Sequence, residues 1–294
     1  MDRIERGFLD DGSSPKGLPL DGVPAAPWSV FDGRVAFPVG VVLESAVDAN
    51  RRAMTEFCTR HDVWLAPHGK TTMAPALFRR QLDDGSWAIT AATAWQAKRM
   101  RDAGIRRVFI ANQVVVPAEI AWMAEATNDE FEVWCYVDSL DGVEIMSRVL
   151  AEVAPSRPLP VVVERGVVGG RTGARSTTAG VEVAEAAAAS PHLELRGVAG
   201  FEGILGAEGQ RTAAQVVIEF LDQVVELGAE IGRRGLFERR EVIVTAGGSA
   251  YFDHVVDRFS RLEIEGHDVR TVIRSGGYIS HDEGGLHRSS PMGA

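Results

Sequence analysis

The chain has 294 residues, 45% hydrophobic and 24% charged, enough to bury one large core or two smaller ones. Its formal charge of −10 argues against a nucleic-acid partner, because phosphate backbones reward clustered lysine and arginine. No stretch approaches the ~18 uncharged apolar residues of a membrane span, so no membrane partner is expected.

The N-terminus, MDRIERGFLDDG, is charged and lacks the apolar centre of a signal peptide. Cys58 and Cys135 sit among apolar residues with no CxxC or histidine-rich spacing, which reads as free buried thiols in a reducing, cytoplasmic compartment. Residues 1–36, rich in Gly, Pro and Asp from position 11 onward, read as an arm or linker. Short apolar runs then alternate with segments of helical spacing: 37–43, 63–66, 87–90, 107–111, 131–137, 160–164, 193–200, 241–246 and 269–274. Residues 212–231 are the clearest helix, with Val216, Val217, Phe220, Leu221, Val224, Val225 and Ile231 on one stripe.

Strands apolar at consecutive positions, each followed by a helix, imply a parallel sheet covered on both faces. If the run at 37–43 belongs elsewhere, the other eight make an α/β, (β/α)8 TIM-type barrel. An open doubly wound sheet is the rival, but no G-x-G-x-x-G follows the first strand.

In a barrel the site lies where the strands end. The first barrel strand leads into Pro67-His68-Gly69-Lys70, within APHGKTTMAP. Gly69-Lys70-Thr71 looks like the end of a phosphate loop, but that motif needs glycine where Trp64 stands. The last two strands run into Gly247-Gly248-Ser249 and Ser275-Gly276-Gly277-Tyr278, where glycines let backbone N–H groups converge on an anion. G-x-S-x-G is excluded, since Tyr251 stands where it needs glycine. His68 and Lys70, two apart, both face the mouth if extended geometry persists that far. A half-desolvated lysine opposite an anion cradle meets the requirements for bonding to a phosphorylated aldehyde; a solvated turn lysine is the plainer alternative. The other strand ends carry Thr90 and Thr93, Asn112-Gln113, Asp138-Ser139, Glu164-Arg165 and Glu202, of which the serines and threonines read mostly as turn formers and caps.

LAPHGKTTMAP resembles the lysine motif of the fold-type III, alanine racemase-like pyridoxal-phosphate enzymes, in the branch of amino acid deaminase, D-serine dehydratase and D-threonine aldolase. SWAITAATAWQAKRMRDAGIRRVFIANQVV, GGRTG at 169–173, RGVAGFEG at 196–203, TAGGSAYFD at 245–253 and RSGGYISHD at 274–282 agree in order. The resemblance implies a pyridoxal-phosphate barrel at 44–275, with 37–43 a strand of a C-terminal β-domain whose incomplete start is 276–294. It implies that Lys70 is the Schiff-base lysine and the base, with His68 beside it and Arg171 at the cofactor. Gly247, Gly248 and Ser249 would form the phosphate loop, and Gly276 and Tyr278 the second contact to the cofactor.

The implied activity is that of a lyase on D-3-hydroxy amino acids, by loss of the β-hydroxyl or by Cα–Cβ cleavage. A racemase, or a non-catalytic cofactor-binding protein, is the alternative. A homodimer is implied for the full-length protein, and a divalent metal only with the remainder of the β-domain. His281, Asp282, Glu283 and His287 have no ordinary ligand spacing, so no metal site is assigned. Residues 164–166 read ERG where the family often has an Asp-Val-Gly type sequence.

Overall fold

The computed structural model describes residues 42–280 and 290–291. The arm at 1–36, residues 37–41 of the first apolar run, and His281, Asp282, Glu283 and His287 lie outside the described residues. Val42 and Leu43, the end of that run, are exposed and lead into a helix.

Among the described residues, strands and helices alternate as the periodicity predicts. In chain order they are α1 (Glu44–His61), β1 (Trp64–Leu65), α2 (Pro75–Asp83), β2 (Ile89–Ala91), α3 (Ala94–Asp102) and β3 (Arg107–Gln113). Then come α4 (Pro117–Ala126), β4 (Glu132–Val137), α5 (Leu140–Val153), β5 (Leu159–Glu164), α6 (Thr177–Ala188) and β6 (Leu193–Ala199). The series closes with α7 (Ala213–Arg233), β7 (Glu241–Ala246), α8 (Phe252–Phe259), β8 (Asp268–Ile273) and a 3-10 turn, Gly277–Ile279. None of these helices is long and apolar enough to cross a membrane.

All the strand pairs are parallel, in the order β1-β8-β7-β6-β5-β4-β3-β2. An isolated parallel bridge, His68 to Thr90, joins the two ends of that order. Backbone bonds flank it: Trp87 N–H to Leu65 O at 2.7 Å, Thr90 N–H to Pro67 O at 2.9 Å, and Gly69 N–H to Thr90 O at 2.8 Å. The sheet therefore closes through the segment that carries the HGK motif, which excludes an open doubly wound sheet.

Two apolar layers result. The outer one lies between strands and helices, where α7 buries Val217, Phe220, Leu221, Val224 and Ile231, while Val216 and Val225 sit half-buried at the edges of the stripe. The inner one fills the bore. Phe109, Trp134 and Tyr136 project inward from β3 and β4, facing small residues such as Ala66, Ala88 and Ala199. Trp87 meets Trp134 edge to face at 5.0 Å, and Phe109 meets Tyr136 at 5.5 Å. Large rings from neighbouring strands matched by alanines elsewhere make a packed core rather than a pore, and it forms the floor of the mouth.

Candidate active site

Extended geometry ends at Gly69. Lys70 opens a turn closed by the Met73 N–H on the Gly69 carbonyl at 2.9 Å, with Met73 in the left-handed region at φ 44°. Gly69 is fixed by packing, because a Cβ there would meet the Phe78 ring at 2.7 Å. The turn leaves Lys70 exposed at the rim, beside a half-buried His68. Partial desolvation lowers the Lys70 pKa, helped by Arg171 and then Arg274. Burial holds His68 well below its ordinary value, reinforced by Lys70, Arg274 and Arg171, so its ring is held neutral.

Arg171 stands in the loop after β5, its guanidinium 4.5 Å from the centre of the Phe201 ring. Asp138 accepts the Gly173 N–H at 3.0 Å. Arg175 clasps the same loop by donating to the carbonyls of Val167 at 2.6 Å, Thr172 at 2.9 Å and Gly170 at 3.0 Å.

The two glycine-rich loops are stitched to each other. Ser275 Oγ donates to the Gly248 carbonyl at 2.8 Å, and Ser249 Oγ accepts the Gly277 N–H at 2.9 Å. By contrast, Thr93 and Ser139 are helix N-caps, as turn chemistry predicts. Gly247 and Gly276 have a second use that spacing does not reveal. A Cβ at Gly247, whose φ is 146°, would lie 2.6 Å from the Arg274 nitrogen, and one at Gly276 would overlap the His68 carbonyl oxygen. The glycines let three loops meet backbone to backbone around one cradle. Tyr278 does not join it through its side chain: its hydroxyl accepts from Gln81 Nε2 at 3.0 Å, on α2.

The structure adds residues that the sequence reasoning missed. Arg274, at the end of β8, is 1% exposed, donates to Thr245 Oγ1 at 2.6 Å and the Gly200 carbonyl at 2.9 Å, and lies over the rings of Phe109 and Tyr136. Around it, His68 Nδ1, Tyr136 Oη, Glu164 Oε2, Glu202 Oε2 and Arg274 Nε are buried without a hydrogen-bond partner among the described residues. Burial pushes the Glu164 and Glu202 carboxyls upward, toward the neutral acid. Buried polar groups are ordinarily satisfied, so such a concentration at a strand-end mouth marks a place built to receive a polar ligand. Its cations are Lys70, Arg171 and Arg274, in a chain that is acidic overall.

A groove of about 940 Å³ lies elsewhere, at the opposite end of the barrel beside Trp87, Arg107, Glu132 and Arg196. Arg107 there pairs with Glu132 at 2.8 Å and Arg196 with Glu194 at 2.9 Å, so these arginines already have carboxylate partners.

No family model matches the chain. A D-threonine aldolase of an Arthrobacter species is 27% identical over 240 residues, which are 78% of this chain and 60% of that protein. Among solved structures, D-threonine aldolase from Filomicrobium marinum superposes with a TM-score of 0.71 at 21% identity, covering 88% of this chain and 66% of that one. The same barrel fold is seen in an alanine racemase-like protein of Idiomarina loihiensis, at a TM-score of 0.61 and 16% identity over 81% of this chain and 60% of that one. PipY of Synechococcus elongatus, a structure with pyridoxal phosphate bound, shares the fold at a TM-score of 0.57 and 15% identity, over 79% of this chain and 98% of its own. The chain thus spans 60% of the length of its first curated relative and overlaps 98% of the PipY chain.

Proposed function

We propose that this barrel holds pyridoxal phosphate through Lys70 and belongs to a lyase acting on D-3-hydroxy amino acids, by Cα–Cβ cleavage or by loss of the β-hydroxyl. The observation that carries the proposal is the meeting of Lys70, an amine of lowered proton affinity, with two interlocked glycine loops and a ring of orphaned polar groups. The residues fit the cofactor: the loops at 247–249 and 276–277 would suit its phosphate, and Arg171 and Arg274 would set positive charge beside its ring. When bound, the cofactor supplies an electron sink for the bond broken at Cα.

The chain's own residues do the rest. Lys70, unprotonated more readily than an ordinary lysine, would hold the cofactor at its aldehyde carbon and, when free of it, would take or return a proton at the substrate Cα. His68, neutral beside it, adds no competing positive charge and offers a hydrogen-bonding nitrogen at Nδ1. Tyr136 and Arg274 form a floor that excludes water from below.

The relatives support the substrate class, since D-threonine is itself a D-3-hydroxy amino acid. A homodimer is part of the proposal. Among the described residues Trp95, Val115, Val116, Leu140, Val168 and Ile204 are exposed apolar side chains, and all follow β2 to β6 on the mouth side. A cytoplasmic setting fits the free Cys58 and Cys135 thiols. A divalent cation enters the proposal only with ligands from a further domain; the described residues contain no group of three or more His, Cys, Asp or Glu placed to hold one.

Incubating the chain with pyridoxal phosphate and D-threonine or D-serine tests the proposal. Glycine and acetaldehyde indicate cleavage, and ketoacid with ammonia indicates elimination. Cofactor binding with neither product would support instead the second reading, a cofactor-binding protein, which the near-complete overlap with PipY favours.

A further inference from the structure

We infer that Glu202 is the positioning residue of the anion cradle: it takes up the Gly248 N–H and so sets which backbone groups of the 247–249 loop face the cofactor phosphate. This deepens the cofactor proposal above and rests on it. Glu202 follows β6, is fully buried at 0% exposure, and its Oε1 accepts the Gly248 N–H at 2.8 Å. Its Oε2 has no hydrogen-bond partner among the described residues. The loop after β6 lies directly against the loop after β7: a Cβ at Gly203 would sit 3.6 Å from Gly248 Cα.

A carboxyl and a phosphate compete for the same kind of donor. Because Glu202 already holds the Gly248 N–H, that amide points into the barrel wall and is not a phosphate donor. The tie holds the peptide from within, while Ser275 Oγ holds the Gly248 carbonyl from the other side at 2.8 Å. With both ends of that residue fixed and the Gly277 N–H already donated to Ser249 Oγ, the N–H groups of Ser249 and Gly276 and the Ser249 hydroxyl hydrogen are left to face an anion. Burial raises the Glu202 pKa against the opposing pull of the Gly248 N–H and Arg274, which favours a neutral acid that does not repel a dianion. A neutral carboxyl keeps a carbonyl oxygen to accept the amide and gains an O–H at the orphaned Oε2.

The test is the equilibrium affinity of the full chain for pyridoxal phosphate and, separately, for pyridoxal, which lacks the phosphate. Wild type, Glu202→Gln and Glu202→Ala are compared, with thermal melts to confirm folding. Loss of the acceptor in Glu202→Ala is expected to weaken pyridoxal phosphate about tenfold or more while leaving pyridoxal within about twofold. Glu202→Gln retains an acceptor without a charge and is expected to match wild type with both ligands. Equal weakening toward both ligands, or unchanged or tighter pyridoxal phosphate in Glu202→Ala, overturns the assignment. If the alanine variant does not fold, the glutamine variant decides alone: a phosphate-selective loss of tenfold in a folded Glu202→Gln overturns it, and wild-type affinity upholds it. Absence of any phosphate preference in wild type overturns the cofactor proposal itself and this assignment with it. Wild-type preference with an indifferent Glu202 overturns only the latter.

Discussion

Gly276 and His68 meet backbone to backbone, so closely that a single methyl group on Gly276 would overlap the His68 carbonyl oxygen. This contact, with the His68–Thr90 bridge, seats the lysine segment between the last strand and the second and so brings Lys70 beside the glycine loops.

Alanine at Gly276 is therefore expected to cost roughly 3 kcal/mol or more, at the upper end of overpacking penalties, because backbone cannot give way as a side-chain tip can. Gly248→Ala should cost less than about 1 kcal/mol, since its Cβ would make ordinary contacts at 3.5 to 3.7 Å. Urea midpoints of the two variants check the contrast, and equal losses would contradict the backbone account.

Tyr136 is fully buried with no partner for its hydroxyl among the described residues. Replacing it with phenylalanine removes an unsatisfied group at almost constant shape. Stability of the cofactor-free chain should be unchanged or raised by up to about 1 kcal/mol. Differential scanning calorimetry reads this directly; a loss above about 1.5 kcal/mol would mean that the hydroxyl is satisfied after all.

The site titrations act on stability in opposite directions. His68 has a folded pKa below its ordinary 6.5, so the unfolded chain takes up that proton first. Its contribution is present above 6.5 and is lost as pH falls below it, by up to about 1.4 kcal/mol per pH unit until the folded pKa is reached. Glu164 and Glu202 have folded pKa values above the ordinary 4.5, so stability is greatest below 4.5 and is lost as pH rises toward those values. His68→Gln should flatten the stability profile between about pH 6.5 and 5, and Glu202→Gln should flatten the decline above 4.5. Denaturation midpoints across pH measure both slopes, and an unchanged His68→Gln slope would refute the buried neutral imidazole.

Arg175 secures the loop that carries Arg171 by donating to three carbonyls. Arg175→Ala should loosen residues 166–173, seen as faster limited proteolysis there, at a cost of about 1 kcal/mol for a partly exposed group. Lysine should not restore protection, because a single ammonium cannot span the fork. Restoration by lysine would show that charge alone holds the loop.

Much of the fold was legible because parallel strands buried on both faces leave continuous apolar runs, as at 159–164, where every residue is buried. The glycine loops and Lys70 were legible from their places after strands. Arg274 and Tyr136 were not: each sits at the end of an apolar run, where inward and outward positions look alike until the register is known. Glu202 looked like another strand-end polar residue, and nothing in its spacing signals the bond to Gly248. The partner of the Tyr278 hydroxyl was likewise not legible, since only the 3-10 turn at Gly277–Ile279 brings it to Gln81.

The central claim is that Lys70 is the group that binds the cofactor covalently. The most direct measurement is the visible absorption spectrum of the chain with pyridoxal phosphate, before and after borohydride, beside Lys70→Ala. The account predicts a shifted band in wild type that borohydride fixes to the protein and that the variant lacks. Free-cofactor absorption from both proteins, or an equally reducible band in Lys70→Ala, would contradict it.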